Sequence, residues 1–194
     1  MSEFVLPDGE IDVLAAGEAL IDFISEETAD RLADAYLFRR YLGGSPANIA
    51  VYVAKLGGRS ALIAKTGIGA FGTFIKAELT SAGVNTEYMV MDHRVHTSVV
   101  FVSRTEATPD FEALRAGDAQ LEPAEVPEEA VRRARLIHAS TFSLSRAPTR
   151  NAVERIFELG RDQGKLISLD PNYSRRIWPK YEEAKTVVTR LLSY

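Results

Sequence analysis

Short runs of apolar residues alternate along the chain with longer segments in which apolar residues recur at helical spacing. An unbroken apolar run is typical of a buried strand, whereas apolar residues three and four positions apart are typical of a helix packed on a sheet. A strand, a helix and a second strand in this order favour parallel pairing, so the pattern predicts an α/β fold with a parallel sheet covered by helices. The predicted strands are residues 11–17, 60–65, 86–91, 135–140 and 165–170, and the predicted helices are residues 46–57, 71–82, 127–133, 146–163 and a segment from about 179.

Four extended segments interrupt this alternation. Residues 97–104 and 109–116 are joined by a short polar segment with no helical pattern, which predicts a β-hairpin. Residues 19–24 and 35–42 are also β-prone. We therefore predict that the hairpin pairs with these two segments to form a small sheet separate from the main one.

Composition and charge exclude several classes of protein. The 194 residues carry 23 Lys and Arg against 27 Asp and Glu, a net charge of −4, so the chain lacks the positive charge with which general nucleic-acid binders contact phosphates. With no cysteine and three histidines, disulfides and thiolate metal sites are excluded, and we expect no metal site. No membrane-spanning run or secretory signal is apparent, so we expect a cytoplasmic protein with no nucleic-acid or membrane partner.

The first candidate site is the turn at Gly43 and Gly44, which precedes a predicted helix. Ser45 as the N-cap and Pro46 at the first helical position are signals for a helix start. Glycines let a ligand approach the backbone, and the free N–H groups at the start of a helix suit a hydroxyl or an anion. Asn48, about one turn along, offers a donor and an acceptor to a sugar hydroxyl. The alternative is that the glycines only let the helix pack closely on a strand.

A second glycine-rich turn lies between Gly67 and Gly72. Its sequence GIGAFG matches the G-x-G-x-x-G pattern of dinucleotide-binding turns, and Asp92 follows at the distance where that pattern places an acid for a ribose. The turn does not open the predicted fold, however, and loosely spaced glycines arise by chance in α/β chains. A nicotinamide-dependent oxidoreductase is therefore the minor interpretation.

Polar residues are predicted at the ends of strands, where ligands of open parallel sheets bind. Asp22 lies in an apolar segment after the first strand, and Asp170 and Asn172 follow the strand at 165–170. With the turn at residue 43, these junctions point to one crevice. The alternative for Asp170 and Asn172 is an ordinary turn and capping role, and Arg115 on the hairpin is typical of a solvated surface cation.

Taken together, the motifs resemble the N-terminal portion of the ribokinase-like (PfkB) sugar kinases. The resemblance implies a doubly wound α/β sheet with helices on both faces and a small β-sheet lid, formed by about residues 19–42 and 96–118. Residues 1–194 would be one domain that lacks the C-terminal part of the fold. The matching segments are GEALIDF (17–23), GGSPANIAVYVAKLGG (43–58), KTGIGAFGTFI (65–75), LIHASTFSLS (136–145) and LDPNYSRRIW (169–178).

The resemblance also assigns roles to single residues. It implies that Asp22 and Asn48 bind sugar hydroxyls, that Gly43 and Gly44 form a turn of close approach, and that Arg115 reaches the sugar from the lid. The glycine-rich turn after residue 66 becomes a structural turn of the kinase core.

Activity and partners follow from the same resemblance. It implies ATP-dependent, magnesium-requiring phosphorylation of a small sugar by a homodimer that pairs through the lid. The family's Asn-x-x-Glu motif, tied to magnesium, and its Gly-Ala-Gly-Asp motif, which supplies the catalytic base, belong to a C-terminal part that we expect outside these residues. The chain alone would then carry the sugar end only, with no catalytic residue, and would be inactive.

Two departures from the family pattern bear on the substrate. Acidic residues are common in the family where Ile68 and Gly69 stand, and an arginine is common where this chain has Ser174. If that arginine holds a substrate carboxylate, Arg175 or Arg176 must replace it, so a neutral ketohexose such as fructose is favoured. A non-catalytic sugar-binding protein is the alternative from another class.

Overall fold

A computed structural model describes residues 7–194; residues 1–6 of the predicted domain lie outside the described residues. The strands are β1 Ile11–Ala16, β2 Leu20–Thr28, β3 Phe38–Gly43, β4 Ser60–Ile63, β5 Lys65–Gly67, β6 Val90–Asp92, β7 Val99–Arg104, β8 Phe111–Leu114, β9 Ala134–Ser140 and β10 Leu166–Asp170. The α-helices are α1 Ser45–Lys55, α2 Ala70–Ser81, α3 Glu128–Arg133, α4 Thr141–Leu144, α5 Thr149–Asp162 and α6 Tyr181–Leu191. None of the helices described is long and apolar enough to cross a membrane.

The main sheet is parallel and has helices on both faces. Its strands pair in the order β10, β9, β1, β4. Successive side chains of a strand point to opposite faces, and β1 follows this rule: Leu14 and Ala16 pack in a core with α3, α5 and α6, whereas Ala15 packs in a second core with α1 and α2. The predicted α/β fold, a doubly wound sheet covered on both faces, is confirmed.

The second sheet has the order β3, β2, β7, β8, so the predicted hairpin does pair with the two preceding extended segments. Its two faces differ in what they contact. Phe23 stacks on Phe101 with ring centroids 5.2 Å apart and meets Phe71 of α2 edge-on. Asp22, the preceding residue of β2, is on the opposite face, in register with Tyr41 and Val100. The second sheet therefore anchors one face on α2 and presents Asp22 on the other.

Two predicted strands are divided or displaced in the structure. The segment 60–65 is interrupted at Ala64, so that β4 stays in the main sheet while β5 leaves it and pairs with β6 in a two-stranded sheet. The predicted strand 86–91 is wrong over its first part, because only a single bridge from Asn85 to Ala61 precedes β6. The apolar character of a segment shows that it is extended, but it does not show which strand it pairs with, and so the pairing of β5 with β6 was not predicted.

The predicted helix 146–163 starts later and is preceded by a separate short helix. Helix α4 ends at Leu144 and α5 begins at Thr149, directly after Pro148. Proline has no N–H to donate, so it fits at the start of a helix and not inside one.

Candidate functional site

The carboxyl ends of β1, β9 and β10 meet at the turn that opens α1. The Ser45 hydroxyl lies 3.4 Å from an oxygen of Asp170, which ends β10, and the Ser45 N–H donates to Glu18, which follows β1. The Ser140 hydroxyl, at the end of β9, donates to the same Glu18 carboxylate. The predicted convergence of separate strand ends on one place is therefore present in the structure.

The glycines of this turn are required by close approaches. A Cβ atom on Gly43 would come within 2.8 Å of all three terminal atoms of the Asp22 side chain. Gly44 has φ of 102°, a backbone conformation that favours glycine, and a Cβ there would lie within 3.0 Å of the Glu18 carbonyl. The interpretation that the glycines relieve close packing is confirmed, and the pair also leaves bare backbone beside Asp22. That a ligand approaches this backbone stays a prediction.

Asp22 is a partly buried carboxylate without a hydrogen-bond donor among residues 7–194. Burial raises the pKa of Asp22 to about 6. A desolvated carboxylate gains most from a hydroxyl that donates to it, because such charge-assisted hydrogen bonds are the stronger kind. The residue therefore has an unused acceptor at the surface of the turn.

The start of α1 differs from the prediction. Gly44, not Ser45, is the N-cap, and the Ser45 side chain makes no capping hydrogen bond. The reason is that a carboxylate distant in sequence, Glu18, accepts the first N–H of the helix at 3.1 Å. Ser45 is thereby left with its hydroxyl directed to Asp170.

Asn48 lies one turn into α1, as predicted, and is exposed. It lines a cavity of about 450 Å³ together with Tyr41 and Leu42 of β3. The rest of this cavity is lined by α1 and by the end of α2, and Asp22 is not among its lining residues. Among residues 7–194, neither a hydrogen bond nor a shared cavity therefore joins the side chains of the two predicted sugar contacts.

Arg115 is not the solvated cation that its type predicts. Its side chain is 2% exposed and forms an ion pair of 2.5 Å with Asp118. It also donates to Ser145 and lies 4.3 Å above the ring of Phe142. Arg115 thus ties the end of the second sheet to α4 and the segment after it.

Asp170 and Asn172 form the turn that the alternative interpretation predicts. The backbone N–H of Asn172 donates to the Asp170 carboxylate at 3.0 Å, and the carbonyls of Pro171 and Asn172 accept from Thr141. The Asn172 residue is exposed. Only Asp170 of this pair also reaches the α1 turn.

The turn between Gly67 and Gly72 has a structural explanation. A Cβ on Gly72 would lie within 2.9 Å of the Gly67 carbonyl carbon, so the glycines let the chain fold back on itself. The turn follows β5 of the two-stranded sheet, not a strand of the main sheet. Asp92 is bound by Arg94 at 2.7 Å and by Lys65 at 3.1 Å, contacts that hold the pKa of its carboxyl well below the usual range. It is not free to bind a ribose.

Residues 10–194 match the sequence model of the pfkB family carbohydrate kinases. The chain belongs to this family. Fructokinase-1 of Oryza sativa subsp. japonica is 37% identical over 179 residues, which cover 91% of this chain and 55% of that protein. The chain spans about half the length of the curated relatives it matches.

Solved structures of sugar kinases share the fold. Halothermothrix orenii fructokinase superposes with a TM-score of 0.84 at 34% identity, over 93% of this chain and 66% of that one. An uncharacterized sugar kinase from Pyrococcus horikoshii in complex with ATP has a TM-score of 0.85 at 33% identity, over 92% of this chain and 58% of that one.

The described residues do not fit the metal ion that the family resemblance implies. No group of three or more His, Asp or Glu side chains that could hold a metal ion occurs among the residues that the structure describes. The spacing Asn-x-x-Glu does occur literally, at Asn151 and Glu154, but it lies on α5 and Glu154 is ion-paired with Arg190 of α6. It therefore offers no free carboxylate to a metal ion.

Glu18 is the site residue that sequence reasoning did not single out. It is 2% exposed and bridges α1 and β9, which are far from it in sequence. The sequence does contain a signal for it, because Glu18 is an acid between an apolar strand and the apolar segment that carries Asp22. A buried carboxylate needs partners, and that requirement alone predicts a structural contact here.

Proposed function

We propose that this pfkB chain is the sugar-binding part of a cytoplasmic, ATP-dependent and magnesium-requiring kinase whose substrate is a small neutral sugar, fructose or a related monosaccharide. The observation that carries the proposal is Asp22, a partly buried carboxylate without a partner among residues 7–194, held against the bare backbone of Gly43. Sugar hydroxyls donate to carboxylates and approach glycine backbone closely. The relatives named as fructokinases support the same substrate class.

The charges around the turn favour a neutral sugar over a sugar acid. Three carboxylates, Glu18, Asp22 and Asp170, surround it. Of the cations considered for a carboxylate ligand, Arg115 is paired with Asp118 and Arg176 with Asp110, whereas Arg175 is exposed. An anionic substrate would be repelled by the carboxylates at the turn.

We propose that the second sheet is the lid, formed by about residues 19–42 and 96–118. Its Asp22 face is turned away from α2, and Arg176, in the loop after β10, holds it at Asp110 and at the Phe111 carbonyl. A lid in this place would exclude water, so that the sugar hydroxyl accepts the phosphoryl group. Asp22 and Asn48 would orient the sugar. The ATP and Mg²⁺ that supply this chemistry are proposed from the family, and the ATP-bound neighbour supports the nucleotide.

We also propose that the protein is a homodimer that pairs through the lid. Strands β3 and β8 are the edges of the second sheet. Leu37, next to β3, is 63% exposed and Leu114 in β8 is 51% exposed. Open strand edges with apolar side chains favour pairing with another chain. Sedimentation analysis tests this: a Leu114→Lys variant should be shifted towards monomer, and a monomeric wild type would contradict it.

Calorimetric titration with D-fructose tests the sugar site. Wild type should bind, and Asp22→Asn should lose at least about tenfold in affinity, because a charge-assisted hydrogen bond is replaced by a weaker one. Asp30→Asn, at an exposed position in the segment after β2, is the control and should bind like wild type. A wild-type protein that binds no sugar would overturn the proposal.

A coupled assay of ADP release then separates the kinase from the non-catalytic alternative. Sugar-dependent ADP release in the presence of ATP and Mg²⁺ would exclude a protein that only binds sugar. Sugar binding without ADP release would favour that alternative.

A further inference from the structure

Glu18 connects three segments that build the candidate site. Its Oε1 atom accepts the Ser45 N–H at 3.1 Å and the Ser140 hydroxyl at 2.9 Å. Its own carbonyl is the group that Gly44 approaches so closely that a Cβ would not fit. One residue therefore ties the end of β1 to the first turn of α1 and to the end of β9.

This carboxylate is costly for the fold. Burial raises the pKa of Glu18 to about 7, against a usual value near 4.5. The negative charge of Asp118 raises it further, although Asp118 is itself paired with Arg115. Keeping an acid in such surroundings lowers the free energy of unfolding at neutral pH unless its contacts compensate, so a role beyond packing is expected.

We propose that Glu18 is a positioning residue of the sugar site, which fixes the Gly43–Gly44 turn beside Asp22 through its hydrogen bonds to Ser45 and Ser140. The proposal rests on the proposed sugar-binding function. The turn lies between two parts of the molecule, because Gly43 ends β3 of the second sheet and Ser45 begins α1. With the Ser45 N–H anchored, the backbone of the turn has a fixed place against Asp22.

The hydrogen bonds, and not the charge, perform this function. Because both donors reach Oε1, a glutamine carbonyl oxygen in the same position can accept both. Alanine can accept neither. The substitutions Glu18→Gln and Glu18→Ala therefore separate the hydrogen bonds from the charge.

The experiment measures two properties of both variants: the hydrogen exchange rate of the Ser45 amide by NMR, and the affinity for D-fructose by calorimetry. Glu18→Ala should raise the exchange rate and weaken fructose binding, each by about tenfold, the scale of one lost charge-assisted hydrogen bond. Glu18→Gln should restore both to within about threefold of wild type. Glu106→Ala, an exposed glutamate in the loop between β7 and β8, is the control and should change neither.

The outcomes separate this proposal from the proposed function. If wild type binds no fructose, the proposed function fails, while the Ser45 exchange rates still show whether Glu18 fixes the turn. If Glu18→Ala leaves the Ser45 exchange and the fructose affinity at wild-type values, the proposal is overturned. If Glu18→Gln is as impaired as Glu18→Ala, the hydrogen-bond mechanism is also overturned. Ser140→Ala, which removes one donor, should give a smaller loss and keeps the test available if Glu18→Ala does not fold.

Discussion

The Asp22 carboxylate lies directly against the backbone of Gly43 on the neighbouring strand β3. Gly43 is two positions beyond Tyr41, the residue that pairs with Asp22. No side chain fits at residue 43, since a Cβ would come within 2.8 Å of both carboxylate oxygens. The carboxylate and the bare backbone thus form one surface made by two antiparallel strands. This relationship makes the second sheet a part of the candidate sugar site.

Substitution of Gly43 by alanine should therefore damage the site more than the fold. The methyl group has to displace the Asp22 carboxylate, so fructose affinity should fall by at least about tenfold, with a loss of about 1 to 3 kcal/mol in the free energy of unfolding. Gly69→Ala is the matched control, because no atom lies within 4 Å of a Cβ placed there. Calorimetry and urea unfolding measure both effects. Equal fructose affinities in the two variants would contradict the role given to Gly43.

Asp22→Asn should stabilise the protein while weakening sugar binding. The folded state raises the pKa of Asp22 from 3.8 to about 6, so folded protein holds this proton more tightly than unfolded protein. Stability is therefore lost as the pH rises from about 4 to about 6, and the loss is complete above pH 6. Above that pH, the free energy of unfolding of Asp22→Asn should exceed that of wild type by about 1 to 2 kcal/mol. The whole pKa change would give a larger value, but Asp22 is only partly buried and water still screens its charge.

Asp12→Asn provides a control of opposite sign. Hydrogen bonds from Arg59 lower the pKa of Asp12 to about 2, so this carboxylate contributes stability that is present above about pH 4 and lost as the pH falls towards 2. Denaturation curves at pH 5 and 8 should therefore show Asp12→Asn less stable than wild type at both values, whereas the advantage of Asp22→Asn grows between them. A pH-independent difference for Asp22→Asn would rule out the assigned pKa.

The Arg115 side chain should be needed for stability, because it neutralises a buried acid. Arg115→Ala leaves Asp118, whose side chain is fully buried, without its cation, at a cost of about 3 kcal/mol or more. Arg146→Ala, at an exposed position nearby, should stay within about 0.5 kcal/mol of wild type. Urea unfolding measures both. A neutral Arg115→Ala variant would show that the buried Asp118 does not depend on this cation.

The sequence predicted the architecture well because the strands and helices of the main sheet are each marked by the spacing of their own apolar residues. Strand β1 and the helices that cover it show their apolar periodicity directly, and the hairpin of β7 and β8 is marked by a short polar connection. The errors occur where partners are remote. Ser45 has the residue type of an N-cap, but Glu18, 27 positions earlier, takes the N–H that such a residue would cap.

In the candidate site, too, the residues marked by their type were predicted and the contacts between remote segments were not. Asp22 and the Gly43–Gly44 turn stand out by residue type, since an acid in an apolar strand and paired glycines each require a special environment. The burial of Arg115 did not stand out, because it depends on Asp118, Ser145 and the ring of Phe142 meeting it from different elements. Such pairings are fixed by tertiary packing and leave no periodic signal.

The contact between Arg176 and Asp110 should control how firmly the second sheet is held over the strand ends. Arg176 also donates to the Phe111 carbonyl at 2.7 Å, so Arg176→Ala removes the hydrogen bonds from the loop after β10 to the start of β8. Because the pair is largely exposed, we expect a modest effect: hydrogen exchange in β8 faster by about threefold, with α5 unchanged. Arg175→Ala, the exposed neighbour, is the control. If both variants exchange alike in β8, the second sheet is held by the packing of Phe23 and Phe71 instead.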